Sequence, residues 1–115
     1  MYEVVKEKMT VKEFLRNTYI VNRKFDLQEI RPHVLCADGY EISIQAGRCA
    51  YSIPRENDIE FDAVELGYPN MTDELIEKYA EDPGSPTSCI YPYVPVDIVE
   101  VLMEKHGGIV ELVEV

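Results

Sequence analysis

No apolar run in the 115-residue chain approaches the ~20 residues that carry a helix across a bilayer, so no membrane segment is expected. The opening stretch MYEVVKEKMTVKEF lacks the apolar centre of a secretory leader. Cysteine is scarce: Cys36, Cys49 and Cys89 are odd in number and scattered, which makes no disulfide framework. Reduced thiols and a cytoplasmic setting follow as expectations. No CxxC or HxxxH pair is present, so no zinc site is expected either. GxGxxG, the P-loop and GxSxG are missing, and only His33 and His106 are on hand for general-base chemistry. The sequence therefore predicts no enzyme, no catalytic residue, no metal and no cofactor.

Bases are few. Eleven Lys and Arg face 22 Asp and Glu, for a formal net charge of −11. The imbalance is uneven: Met1 to Arg31 holds seven bases against five acids, and Pro32 to Val115 four against seventeen. Between Glu56 and Glu77 lie eight acids and no base. Neutralising phosphate backbones takes clustered Lys and Arg, so direct nucleic-acid binding is not expected. Such a field suits a basic partner, and it also simply keeps a protein in solution.

What is present is the make-up of one folded domain, residues 1–115, with 46% hydrophobic residues and only 6 Gly and 7 Pro. Asp38-Gly39 between two apolar runs is the strongest hairpin signal, and a two-residue turn there sets Ala37 opposite Tyr40, Leu35 opposite Ile42 and His33 opposite Ile44. Those residues with Ala46 make the expected core face. Val34, Cys36, Glu41, Ser43 and Gln45 fall on the other, half-polar face.

Along the chain, Tyr2 to Met9 alternates as an edge strand, and Thr10-Val-Lys-Glu13 reads as a capping box opening a helix that buries Val11, Phe14 and Leu15. Tyr19-Ile20-Val21 is β-prone, and Phe25 to Ile30 is ambiguous. Cys49 to Ile53 and Ile59 to Leu66 read as strands after the hairpin, with Pro54 stopping the first. Thr72 caps an expected helix through Ala80. Tyr91 to Pro95 is extended, Val96 to Met103 is a helix ended by Gly107-Gly108, and Ile109 to Val115 is a last strand. The expected fold is α+β: an antiparallel sheet with a DG hairpin, packed by two or three short helices that are mainly C-terminal.

Two sets of side chains are binding candidates. Arg55 is the only base between Arg48 and Lys78 and follows Tyr51-Ser-Ile-Pro54. Either it pairs with Glu56, Asp58 or Glu65, or its planar fork takes a phosphate or carboxylate. Tyr51, Phe61, Tyr68, Tyr91 and Tyr93 lie near strand ends and loops, where they are either packing residues or a stacking platform beside that arginine. The other set is acidic: Glu56, Asp58, Glu60, Asp62 and Glu65 form a face that mimics nucleic acid toward a basic protein.

The phrases VLCADGYEISIQA, YSIPRENDIEFDAVELGYPN, YAEDPGSPT and YVPVDIVEVLMEKHGG resemble a family of short proteins in phages and prophages of Gram-positive bacteria, over Arg31 to Gly108. The resemblance implies that the Ser43 and Gln45 strand, the Tyr51 to Arg55 turn and the Tyr91 to Pro95 segment lie together. The strand-rich first half with helices following is also similar to the Thoeris anti-defence sponges, which sequester a cyclic ADP-ribose signal. That likeness implies a counter-defence factor in the cytoplasm of an infected bacterial host. It would be a homo-oligomer that binds a small signalling nucleotide without turnover at Arg55, Tyr51, Phe61, Tyr68, Ser43, Gln45, Tyr91 and Tyr93. The alternative is an anti-CRISPR-type inhibitor whose acidic face blocks a basic host defence nuclease.

Overall fold

The computed structural model describes residues 2–19 and 30–114, with side chains from Lys8 onward in the first segment. The strands are β1 (Tyr2–Met9), β2 (His33–Cys36), β3 (Glu41–Gln45), β4 (Ala63–Gly67), β5 (Ile90–Pro95) and β6 (Ile109–Val113). They pair antiparallel throughout in one sheet of order β1-β6-β2-β3-β4-β5. Helices α1 (Val11–Asn17) and α2 (Val96–Lys105) complete an α+β fold, so among the described residues the α-helices divide one to each half of the chain rather than falling mainly in its C-terminal part. The β-prone reading at 20–21 and the ambiguous stretch 25–29 lie outside the described residues.

The hairpin differs from expectation by one residue. Val34 stands opposite Ile42 and Leu35 opposite Glu41. The Gly39 N–H donates to the Cys36 carbonyl at 3.0 Å, and the Cys36 N–H to the Tyr40 carbonyl at 2.8 Å. Ala37, Asp38 and Gly39 thus form a three-residue loop, with Gly39 at φ +93° supplying the left-handed step. A one-residue slip turns a whole strand over. Val34 and Cys36 are buried and His33 and Leu35 only partly so, whereas Tyr40, Ile42, Ile44 and Ala46 of the partner strand point inward as expected.

Both helices cover this inner face. Thr10 caps α1 by accepting the Glu13 N–H at 3.0 Å, and Glu13 returns the bond by accepting the Thr10 N–H at 3.2 Å. Seven residues are too few to hold a helix alone. Glu100 of α2 adds a second cap, its carboxylate accepting the Val11 N–H at 2.7 Å where the helix dipole favours a negative charge. Val11, Phe14 and Leu15 of α1 and Val96, Val99, Leu102 and Met103 of α2 close the core against β2 to β6.

Two further expectations change. Residues 49–53 form no strand; only Ile53 makes a bridge, to Ala63, and the regular strand begins at Ala63 rather than Ile59. In place of an α-helix over 72–80 there is a 3₁₀ turn at Glu77–Tyr79. Asp73 bends the chain by accepting the Leu75 N–H at 2.9 Å, and the next bonds run from Ile76 to Asp73 and from Tyr79 to Ile76, three residues apart. Arg31 is buried. It donates from Nε to Thr18 Oγ1 at 2.9 Å and from Nη1 to the Ala46 carbonyl, above the Phe61 ring, and burial lowers its pKa to about 10.

Candidate functional site

Residues 47–55 fold across the outer face of β4 and β5 and are fastened there by backbone groups. The Tyr51 N–H donates to Glu65 Oε2 at 2.9 Å, and the Tyr51 carbonyl accepts the Tyr93 N–H at 3.1 Å. Ser52, buried beneath, accepts the Gly47 N–H at 3.0 Å and donates to the Pro54 carbonyl at 2.8 Å, setting the bend that carries Arg55 back over Tyr51. Tyr93 reaches this place through a bulge. Val64 faces Val94 and Leu66 faces Tyr91, so Pro92 and Tyr93 together stand opposite Glu65. Tyr93 sits at φ +54°, a conformation that costs a non-glycine residue about 1–3 kcal/mol and that clusters at binding sites.

The result is an exposed platform of two phenol rings and one guanidinium. The Arg55 guanidinium lies over the Tyr51 ring at 4.7 Å from its centroid, and the Tyr51 and Tyr93 rings are 5.8 Å apart at an angle of 58°. Both rings are about 40% exposed, enough to offer a face to another molecule. Arg55 forms no ion pair with Glu56, Asp58 or Glu65, and Glu65 is engaged with the Tyr51 backbone instead. A guanidinium over a ring face can still take a phosphate or carboxylate in two parallel bonds through its planar fork.

The remaining candidates are placed differently. Ser43 and Gln45 share the outer sheet face, with Gln45 directly opposite Glu65. Gln45 is spent on the Arg31 backbone, accepting its N–H at 2.8 Å and donating to its carbonyl at 3.0 Å, and it also donates to Ser43 Oγ at 3.0 Å. Phe61 is buried under Arg31, and Tyr91 is buried with its hydroxyl on the Pro86 carbonyl. Tyr68 is exposed at φ +50° beyond the end of β4. Of the acids, Glu56, Asp58, Glu60 and Asp62 are exposed; Glu60 lies 3.6 Å from Arg16 and Asp58 accepts the Ile59 N–H.

A second cluster joins residues that no sequence spacing connects. His106, at the end of α2, lies between two carboxylates: Nδ1 is 2.6 Å from Asp38 Oδ2 and Nε2 is 2.8 Å from Asp73 Oδ2. Tyr40 stacks on the ring at 3.9 Å and 7°. Lys105 donates to Asp73 Oδ1 at 3.1 Å. The bond from His106, helped by the Tyr40 N–H, holds the Asp38 carboxyl below the usual carboxylate range. On Asp73 burial is the largest influence and opposes charge, but the bonds from Leu75, His106 and Lys105 together outweigh it and lower its pKa. The Tyr40 hydroxyl is buried with no partner among the described residues, and burial raises its pKa.

Both nitrogens of His106 are occupied, so it has none left to take a proton from a substrate. Cys36 is buried, and burial, then the Asp38 charge, push its thiol up to about 12, away from a thiolate. Among the described residues no group of three or more His, Cys, Asp or Glu could hold a metal ion, and no helix is long and apolar enough to cross a membrane. No family model, curated protein or solved structure matches the chain.

Proposed function

We propose that this protein binds a small anionic nucleotide on the Tyr51, Arg55 and Tyr93 platform and holds it without turnover. The observation that carries the reading is the Arg55 guanidinium laid over one exposed tyrosine ring with a second beside it. Tyrosine faces stack a base, worth about 1–3 kcal/mol, while the arginine fork takes a phosphate. The net charge of −11 favours a ligand with one or two phosphates over a polymer, since one arginine cannot offset that field along a backbone. The phage resemblance supplies the setting and the ligand class, a cyclic ADP-ribose immune signal in an infected bacterium.

Titration with cyclic ADP-ribose isomers should raise the melting temperature and return the nucleotide unchanged on chromatography. Arg55→Ala should abolish the rise. No shift with any of these nucleotides would remove the reading. The second reading rests on the exposed acids Glu56, Asp58, Glu60 and Asp62, which present a negative loop to a basic nuclease channel. It is the weaker one, because Glu60 already faces Arg16 and Glu65 holds the Tyr51 backbone. Reversing Asp58, Glu60 and Asp62 to Lys should destroy nuclease binding if it holds.

A further inference from the structure

Asp38, Asp73 and His106 come from three segments: the β2–β3 turn, the loop ahead of the 3₁₀ turn, and the end of α2. His106 makes them one unit, and its ring is held from three sides. Asp38 and Asp73 take its two nitrogens, Lys105 stands behind Asp73, and Tyr40 covers one ring face. Cys36 and Tyr91 lie beyond Tyr40, within reach of its charge. Each ring nitrogen meets a carboxylate oxygen, and only a doubly protonated ring donates to both. Asp73 is also a wall of a cleft of about 200 Å³, lined with Thr72, Glu77, Ala80, Pro86 and Tyr91. The loop over residues 70–74 is thus a flap hinged on Ile76, which is fully buried in the core, and its charged fastening is at Asp73.

We propose that the Asp38–His106–Asp73 bridge is an acid-released latch on this cleft, holding the 70–74 loop against the end of α2 while both carboxylates are charged and freeing it when they take up protons. The physical cause is the change in charge balance. Protonation removes the two negative charges and leaves the imidazolium and Lys105 as neighbouring cations around a neutral Asp73, which repel each other at short range in a partly dry site. Carboxylates whose native pKa lies below the unfolded one contribute fully above the ordinary range, near 3.9, and lose that contribution as pH falls through the native value. The apolar core, Ile76 included, carries none of these charges, so the sheet stays folded and Ile76 stays in place while residues 70–74 leave.

Amide hydrogen exchange by NMR on the intact chain at pH 7 and pH 3 tests this, with rates corrected for intrinsic pH dependence. The informative amides are Asn70 and Ile76, which bond to the carbonyls of Glu41 and Asp73 rather than to a carboxylate. Their protection should fall at least tenfold at pH 3 relative to Ile44 and Leu66 in the sheet. The double variant Asp38→Asn, Asp73→Asn should show that fall already at pH 7, with no further loss in acid. Should the double variant not fold, Asp38→Asn alone should give the same change in smaller measure, since that carboxylate is half exposed. Unchanged protection at pH 3, loss only in step with the sheet, or an acid response that survives in the variant would overturn the latch.

Discussion

At the end of α2 a buried imidazole, a buried phenol ring and the buried Asp73 carboxylate are joined to a half-exposed one, Asp38, and each nitrogen of the imidazole meets an acceptor. On the outer face of β4 and β5 a guanidinium and two phenols are exposed to water. The residue types overlap, and the difference lies in burial and saturation. A largely buried cluster whose charged groups are paired with one another is committed to its own chain, and removing one member strands the others. An exposed cluster held in place by its backbone keeps its side chains for another molecule.

Asp73→Ala should separate the two regions most sharply. It leaves His106 and Lys105 without their shared buried carboxylate and should cost about 3–5 kcal/mol of stability in urea denaturation. Most of that cost should vanish as the pH falls through the lowered native pKa of Asp73, where the wild-type carboxylate is discharged as well. Next comes Gly107→Ala, which attacks the same region through the backbone. Gly107 sits at φ +90° and an added Cβ would come within 2.8 Å of the Ala37 Cβ, so a loss of more than about 1 kcal/mol is expected.

On the platform the signs change. Tyr93→Gly relieves a left-handed tyrosine and should gain up to about 1 kcal/mol after the entropy of glycine is counted, while weakening ligand binding. Gain of stability with loss of binding would mark Tyr93 as a strained binding residue; loss of both would make it a packing residue. Arg55→Ala should be nearly silent in denaturation, within about 0.5 kcal/mol, and decisive in ligand titration. A large stability loss from Arg55→Ala would erase the contrast between the regions.

Local chemistry was the legible part of the chain. The α1 capping box, the buried stripe of α2 and the inward face of β3 all depend on residues within a few positions of one another. The β2 face was missed because Asp38-Gly39 is equally at home in a two- or three-residue loop. Contacts from far along the chain go with the longer one: the Ala37 and Asp38 N–H groups donate to the Gly108 and His106 carbonyls. The Thr72 to Ala80 stretch has a helical period, but Asp73 is drawn to His106 and Lys105, and the first turn goes with it. For the candidate site, Tyr51 and Arg55 are four residues apart and readable together. Tyr93 joins them only through the bulge, and the same shift of parity puts Tyr91 in the core. Nothing in the sequence links positions 38, 73 and 106.

The pairing of β1 with β6, together with the Glu100 cap on α1, joins the two ends of the chain. During synthesis the first strand and helix emerge long before either partner exists. They wait as an unsatisfied edge and a frayed turn until α2 and β6 have been made, so their folding is late and of high contact order. A nascent chain stopped before α2 would hold β2 to β5 without β6, and so with no edge on which β1 could pair.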